Sequence, residues 1–409
     1  MKKILYVAPL VAGFQDILEG SIESKGLPSF ILPLKKLQES KEYTVDIVLV
    51  SKFNNEFNIK VDWINKENIV ANINNDLSTK NYILKVIRKA KSSFQVINSL
   101  LKLTKKNKYE VIYCHGKAAV WGNFISIIRR IPCAYRVYGT VSVYEDLKKY
   151  GKLIGSVKHP IYTLIFKLPK KFLMITDDGS QGDKVYELMK PKTHRYPFYF
   201  LLNGVDHQSI EEIDSSFILK DVKYLFHAGR IDPIKRQDRN IEILKVLKDK
   251  GYDLKLYLSG HFDEESDYYK HLVQLIKKFN LEDRVKFLGP IDRDKLKAYS
   301  YYSVCTLLMG DISNTGNVFY EVFSTGSIVV GLDGIGLRKF IENNKNGYLV
   351  NDNNDAVFSI EKLLNASNEE LNAVRSGAIR ESRIKLENWD KRVNKEIDLL
   401  TQGDSVISE

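Results

Sequence analysis

The sequence is poor in cysteine and has no long apolar run. Cys114, Cys133 and Cys305 are its only cysteines in 409 residues, and no two of them have CxxC spacing. This argues against a disulfide framework or a cysteine zinc site and suits a reducing cytoplasm. No run of about 18 apolar residues occurs, so we expect no membrane-spanning helix. The opening "MKKILYVAPLVAG" has a basic start, but its apolar stretch is short and indicates a strand instead of a signal peptide.

Acidic residues are outnumbered by basic ones. The chain has 62 Lys and Arg against 51 Asp and Glu, which gives a net charge of +11. Lysines alternate with apolar residues in two stretches, 86–108 and 148–172. Nucleic acid, an anionic membrane surface and phosphate-bearing substrates are all partners that such stretches could bind. A solvated helix face over an apolar core is an equally good explanation of either stretch alone.

Short β-rich apolar runs alternate with helical segments along the whole chain. This pattern predicts an α/β protein with parallel sheets covered on both faces. The length favours two domains. We predict Rossmann-like, doubly wound domains at 1–205 and 206–385 that face each other across a cleft, and a last helix at 386–409 that crosses back to the first. Ligands of such sheets bind outside the carboxyl ends of the strands.

The segment "HAGRIDPIKRQDRN" (227–240) follows the first predicted strand of the second domain. Gly229 permits a tight exit from the strand, Arg230 comes next, and Lys235 lies five residues on, at the start of a helix. Two cations and helix N–H groups at this place could neutralise a diphosphate and stabilise it as a leaving group. A charged surface loop is the alternative.

The segment "MGDISNTGNVFYEVFSTGSIVV" has the composition of a loop that begins a helix. The start of a helix carries partial positive charge and free N–H donors, and can therefore hold an anion. Glu321 lies about one turn into this helix. It is either a ligand-binding carboxylate or an ordinary solvated residue.

These segments together resemble a known family. In order along the chain, "GRIDPIK", "YLSG", "RVKFLG", "NTGNVFYEVFSTGSIVVGLDGIG" and "NKNGYLV" resemble the nucleotide-sugar-binding domain of family 4 glycosyltransferases, which have the GT-B fold. "LLNGVD" (201–206) resembles the segment that closes the first domain in that family. The resemblance is specific over about 200–350 and diffuse over 1–200. It implies transfer of a sugar from a nucleotide sugar with retention of anomeric configuration, without a metal or another cofactor.

The resemblance also assigns roles to residues of the second domain. Arg230 and Lys235 would hold the donor diphosphate, and Glu321 would contact the nucleotide ribose. The backbone N–H groups of Gly316, Asn317 and Val318 would face the phosphates.

One position departs from the family pattern. Ser313 stands eight residues before Glu321, where the family has a glutamate that contacts the donor sugar. Ser313 and Asn314 can still exchange hydrogen bonds with sugar hydroxyls. Asp311 is a second candidate to supply the missing carboxylate. The resemblance alone does not decide between Asp311 and Ser313.

The first domain offers fewer candidates. Its relatives often carry a histidine where this chain has Tyr138-Gly139-Thr140, so His115 in "YCHG" becomes the best imidazole facing the predicted cleft. A structural histidine at a strand end is the alternative. Gly26 matches one of two glycines in a loop that the family places near the phosphates.

The resemblance therefore implies a retaining glycosyltransferase that uses a nucleotide sugar and a glycan or lipid-linked acceptor in surface polysaccharide or glycoconjugate synthesis. We expect it in the cytoplasm or at the inner face of the membrane, without nucleic acid as a partner. Two alternatives remain: a sugar-nucleotide epimerase or hydrolase on the same fold, and a non-catalytic partner subunit that keeps the fold.

Overall fold

The protein consists of two compact units, each built around one parallel sheet. The structure is a computed structural model and describes residues 1–10, 12–20, 28–51, 58–74, 81–219, 221–312, 315–334 and 336–401. The first unit comprises Met1–Leu202 and Asp390–Glu409, and the second comprises Asn203–Trp389. The sequence analysis predicts that the first domain ends at residue 205 and the second at residue 385.

The described part of the first unit contains seven parallel strands in the order β3-β2-β1-β4-β5-β6-β7. The strands are β1 (Lys2–Leu10), β2 (Tyr43–Ser51), β3 (Ile69–Asn74), β4 (Val111–His115), β5 (Cys133–Val137), β6 (Phe172–Thr176) and β7 (Phe198–Leu201). The helices are α1 (Ala12–Leu18), α2 (Pro28–Glu39), α3 (Tyr82–Lys106), α4 (Val120–Arg129), α5 (Val141–Lys158), α6 (Pro160–Lys167) and α7 (Gly182–Met189).

The second unit has six described parallel strands in the order β10-β9-β8-β11-β12-β13. The strands are β8 (Tyr224–Ala228), β9 (Lys255–Ser259), β10 (Val285–Gly289), β11 (Cys305–Leu308), β12 (Val329–Leu332) and β13 (Tyr348–Val350). The helices are α8 (Gln237–Asp249), α9 (Asp267–Lys278), α10 (Arg293–Tyr302), α11 (Asn317–Ser324), α12 (Asn353–Asn365) and α13 (Asn368–Lys385), and the last helix of the chain is α14 (Trp389–Thr401).

Both faces of the first sheet are buried, as the apolar runs predicted. Leu5 and Val7 of β1 belong to the core on one face, whereas Ile4 and Tyr6 belong to the core on the other. Successive side chains of a strand point to opposite faces, so a continuous apolar strand needs cover on both sides. The prediction of two doubly wound α/β sheets is confirmed.

Several elements differ from the sequence-based assignment. The sequence pattern over 355–383 by itself predicts one helix, but the structure has two, α12 and α13, because Ser367 begins α13 with a capping box that involves Glu370. We assigned no element to α1, β3 or α5 to α7. No helix in the described ranges is both long and apolar enough to cross a membrane.

Buried charges fasten the last helix to the first unit. Glu396 of α14 accepts hydrogen bonds from Arg136 Nη1 of β5 at 2.6 and 2.7 Å and from Arg392 Nη1 at 3.0 Å. The Tyr113 hydroxyl of β4 also donates to it. Burial by itself would raise the pKa of Glu396, but the two guanidinium groups hold it below its usual value. Arg392 Nε donates to the carbonyl oxygen of Leu202, 2.8 Å away, at the last residue of the first segment.

Candidate functional site

The two most informative motifs follow adjacent strands of the second sheet. β8 is the first strand of its unit and pairs on one side with β9 and on the other with β11. The strand order therefore reverses between β8 and β11. Ligands of open parallel sheets bind outside the carboxyl ends of the strands at such a reversal. The segment with Arg230 leaves β8 there, and the segment that starts α11 leaves β11 there.

Two glycines allow the backbones after β8 and β9 to touch. A Cβ atom on Gly260 would lie 2.1 Å from the carbonyl oxygen of Gly229, so no side chain fits at this position. Both glycines also have positive φ angles, +156° and +143°, which disfavour other residues. Gly229, predicted as part of the donor site, therefore shapes the strand exit that carries Arg230.

Both predicted phosphate-binding cations lie on this exit. The Arg230 side chain is 71% exposed, and its Nη2 atom lies 3.7 Å from Asp232 Oδ2. Lys235 ends a short 3₁₀ turn, Pro233–Lys235, two residues before the first residue of α8, Gln237. It is partly exposed, and its stem passes Gly229, where a Cβ atom would lie 3.8 Å from Lys235 Cγ. Their assignment to the diphosphate stays a prediction.

A buried histidine and a glutamine hold this loop in shape. His227 Nδ1 donates to the carbonyl oxygen of Leu307 at 2.9 Å, so Nε2 is left to accept from Gln237 Nε2 at 3.0 Å. The Gln237 amide also donates to the carbonyl oxygen of Arg230 at 2.8 Å. Burial lowers the pKa of His227 to about 4, so the ring is neutral at physiological pH.

Asp311 joins the segments after β8 and β11. Its carboxylate lies 2.8 Å from Arg236 Nη1 and 2.7 Å from Arg239 Nη2. Arg239 also donates to the carbonyl oxygen of Met309 at 2.9 Å. Asp311 is therefore engaged by two guanidinium groups. Ser313 and Asn314, the other candidates for contact with the donor sugar, lie outside the described residues.

The first turn of α11 begins at the same edge. Gly316 is the N-cap, so no side chain caps the turn, and a Cβ atom added to Gly316 would meet no atom within 4 Å. Asn317 is the first residue of the helix, and Val318 follows it. Asn317 accepts a hydrogen bond of 2.8 Å from Asn203, a residue of "LLNGVD". The backbone N–H groups of a first helical turn lack partners within the helix and suit an anion.

Glu321 is buried, so the solvated alternative is wrong. The residue is 9% exposed, and its Oε1 atom lies 3.2 Å from Arg293 Nε at the start of α10. Arg293 Nη1 is in turn 3.5 Å from Asp206 Oδ2. Burial raises the pKa of Glu321, Arg293 and then Lys297 oppose that rise, and Asp206 adds to it. The Glu321 carboxylate is therefore held by Arg293, which in turn pairs with Asp206.

His115, the histidine predicted to face the cleft, lies inside the first unit. It is fully buried at the end of β4, with its ring centroid 4.5 Å from that of Tyr6 and 4.2 Å from that of Tyr113. Burial, and secondarily Arg136, lower the pKa of its imidazole well below the usual value. This packing between two tyrosines fits the alternative of a structural histidine at a strand end, and a catalytic role for His115 stays a prediction. Gly26 lies outside the described residues.

Sequence reasoning missed four supporting residues. His227 and Gln237 stand inside the recognised motif, but only the folded loop shows that they bond each other. Asp206 and Arg293 are 87 positions apart, and their contact follows from tertiary packing alone. The available signals were the segment 227–240, which contains His227 and Gln237, and "LLNGVD", which contains Asp206. Arg293 carried none.

Comparisons with known proteins agree with this geometry. Residues 208–380 match the family described as glycosyl transferases group 1. Over 174 residues the chain is 27% identical to N-acetyl-alpha-D-glucosaminyl L-malate synthase from Bacillus anthracis. That match spans 41% of this chain and 43% of the relative, less than half of either.

Solved structures match over nearly the whole chain. Sucrose-phosphate synthase from Thermosynechococcus elongatus superposes with a TM-score of 0.71 at 14% identity and covers 98% of this chain and 99% of its own. Anabaena HepE in complex with UDP-glucose superposes with a TM-score of 0.67 at 16% identity and covers 97% of this chain and 100% of its own. At such identities the likeness establishes the fold, which both structures share with this chain.

Proposed function

We propose that residues 208–380, which match the group 1 glycosyl transferases, form a donor-binding domain of the family 4 type, and that the protein transfers a sugar from a nucleotide sugar to an acceptor hydroxyl with retention of configuration. The observation that carries the proposal is the edge between β8 and β11. There, two exposed or partly exposed cations and the first turn of α11, whose N-cap is Gly316, converge on the reversal of strand order. This combination suits a diphosphate.

In the proposed donor complex, residues at this edge bind the diphosphate and the ribose of the nucleotide sugar. Arg230 and Lys235 bind the diphosphate oxygens, and the N–H groups of residues 316–318 donate to the same anion. Glu321 accepts hydrogen bonds from the ribose hydroxyls. The solved structures of HepE contain UDP, glucose or UDP-glucose, so uridine nucleotides are the first donors to test.

The proposed chemistry needs no protein base. The bond between the anomeric carbon and the diphosphate oxygen breaks, and the acceptor oxygen bonds to the same face of that carbon. The acceptor proton passes to an oxygen of the departing phosphate. Two observations support this route: His115 is buried, and the carboxylates of Asp311 and Glu321 are both engaged by arginines. We also propose that Arg230 and Lys235 stabilise the leaving diphosphate without a metal ion.

The acceptor we propose is a glycan or a lipid-linked glycan of surface polysaccharide or glycoconjugate synthesis, modified at the inner face of the membrane. Retention of Arg230, Lys235 and Glu321 supports a catalytic subunit over a binding subunit. An epimerase or hydrolase would need an acid and a base at the anomeric carbon, and the edge described here offers no free carboxylate among its described residues for both roles.

A panel of nucleotide sugars tests the proposal. We would measure nucleotide release with and without glycan and lipid-linked acceptors, in the presence and absence of a chelator. Acceptor-dependent release that the chelator does not affect is the expected result. Release without an acceptor would indicate a hydrolase, conversion of the donor without release an epimerase, and binding without turnover a partner subunit. Lys235→Ala should lose the activity, whereas Lys277→Ala, an exposed lysine of α9, should retain it.

A further inference from the structure

Four helices of the first unit form a continuous row with an unusual charge. α3 packs on α4, α4 on α6, and α6 on α5. α3 contains no Asp or Glu and seven basic residues, which are Lys85, Arg88, Lys89, Lys91, Lys102, Lys105 and Lys106. α5 and α6 add Lys148, Lys149, Lys152, Lys158 and Lys167. Asp146, one of the two acids of α5, is engaged by Lys158 at 2.9 Å and His159 at 2.8 Å.

The same helices expose large apolar side chains. Leu153 is 81% exposed, Val157 73%, and Ile83 and Phe94 69% each. The others are Leu84, Val86, Ile87, Phe124, Ile127, Ile128, Tyr150, Ile154 and Leu164. The second unit exposes far fewer among its described residues, namely Leu219, Ile234, Tyr302, Phe358 and Ile384. A concentration of exposed apolar side chains marks an interaction surface.

The centre of this surface is the segment 148–154 of α5. All seven of its residues are exposed, and its sequence, "KKYGKLI", alternates charge with apolar bulk. Gly151 interrupts the helix with φ 78° and ψ 169° and has open space beside it. The lysines of the nearby sequence do not all belong to this surface. Lys171 Nζ donates to the carbonyl oxygen of Leu400, and Lys170 is half-buried with its Nζ over the Tyr196 ring.

We propose that the surface formed by α3 to α6 binds an anionic lipid bilayer. The lysines of this surface would bind lipid phosphates. Leu153, Ile154 and Val157 would enter the boundary between the headgroups and the acyl chains. Charge complementarity selects this partner, because a purely apolar protein interface would desolvate the lysines and nucleic acid would leave the aliphatic side chains in water. This binding does not depend on the proposed reaction, so either can fail alone.

Co-sedimentation of the full chain with vesicles tests the proposal. We expect binding to vesicles of phosphatidylcholine mixed with phosphatidylglycerol, weak binding to phosphatidylcholine alone, and a loss of binding at raised salt. Changing Lys148, Lys149 and Lys152 to Gln should weaken binding on the order of 100-fold, since each lysine near an anionic surface contributes roughly fivefold. The matched control changes Lys277, Lys278 and Lys286, exposed lysines of the second unit, to Gln and should bind as the wild type does.

A second pair of variants tests the apolar part. Leu153→Ser with Val157→Ser should also weaken binding, and a Leu153→Trp reporter should shift its fluorescence to the blue on anionic vesicles. Both positions are exposed, so folding should be unaffected. Equal weakening by the control lysines, indifference to lipid charge, or no binding would overturn the proposal. So would concentration-dependent self-association that Leu153→Ser abolishes, because a second copy would then cover the surface.

Discussion

The two units have similar sheet topologies but differ in whether the charged residues near the reversal of strand order are exposed or buried. In each sheet the strand order reverses beside the first strand, between β1 and β4 in the first unit and between β8 and β11 in the second. At the second reversal, Arg230 is exposed and the neighbouring loops are braced by ion pairs. Near the first, His115, Arg136 and Glu396 are all buried, while Lys148, Lys149 and Lys152 of that unit lie exposed on α5. The second unit thus exposes a charged side chain at the reversal of its strand order. In the first unit the charged side chains near the reversal are buried against α14.

Removing the buried carboxylate of the first unit should have the largest effect. Glu396→Ala leaves Arg136 and Arg392 buried without their anion, and breaking such a pair typically costs about 3–5 kcal/mol of stability. Hydrogen exchange of β5, β6 and α14 measures the loss. Asn394→Ala, an exposed position of the same helix, is the control. Unchanged exchange would mean that the charges do not hold the helix.

The same carboxylate gives a pH dependence with a definite sign. Its pKa is lowered in the folded state, so its stabilisation is present above the usual value of 4.5 and is lost as the pH falls through the lower, folded value. Glu396→Gln should lack this part of the acid destabilisation.

The exposed cations of the second unit should affect activity without affecting stability. Arg230→Ala and Lys235→Ala should each cost about 2–4 kcal/mol in kcat/KM, the scale for one preorganised electrostatic group. Steady-state kinetics with the identified donor measure the expected loss of activity. Thermal unfolding of each variant measures whether stability is unchanged. Wild-type turnover in both variants would show that the diphosphate binds elsewhere.

Replacing Glu321 should have an intermediate effect. Glu321 is buried, as Glu396 is, but like Arg230 it is proposed to bind the donor. Glu321→Ala should weaken nucleotide binding by about 1.5–3 kcal/mol, the range for a hydrogen bond to a charged group. Calorimetric titration measures this against Glu282→Ala, an exposed control. A variant that unfolds while its folded fraction binds nucleotide normally would assign Glu321 to structure only.

Arg293 should have the smallest effect at neutral pH and the most specific signature. We infer that it positions Glu321 and keeps it ionised. In Arg293→Met the pKa of Glu321 should rise further, so nucleotide affinity should begin to fall at a higher pH than in the wild type as the solution is acidified. Titrations across a pH series measure this, and Arg293→Lys should restore part of the profile. A loss that is the same at every pH contradicts the positioning role.

The sequence predicted the second unit better than the first for a physical reason. The predicted donor-binding residues Gly229, Arg230 and Lys235 belong to one short contiguous segment after β8, so the order of residues already places them together. The burial of Glu321 depends on Arg293 and Asp206, which no local pattern connects. The burial of His115 could not be predicted from "YCHG", because Tyr113, which packs on its ring, bonds Glu396 from 283 positions away in the sequence. Helices α5 and α6 were not predicted because Gly151 and Pro160 interrupt the helical periodicity of that stretch.

The contact between Gly260 and Gly229 has a consequence for engineering. A library built to change donor preference would naturally vary the residues around Arg230, and position 260 appears distant from them in the sequence. Any side chain at 260 would nevertheless displace the backbone from which Arg230 extends. Such a library should hold position 260 fixed, because its variants would fail through a shifted strand exit and be misread as evidence about the sugar.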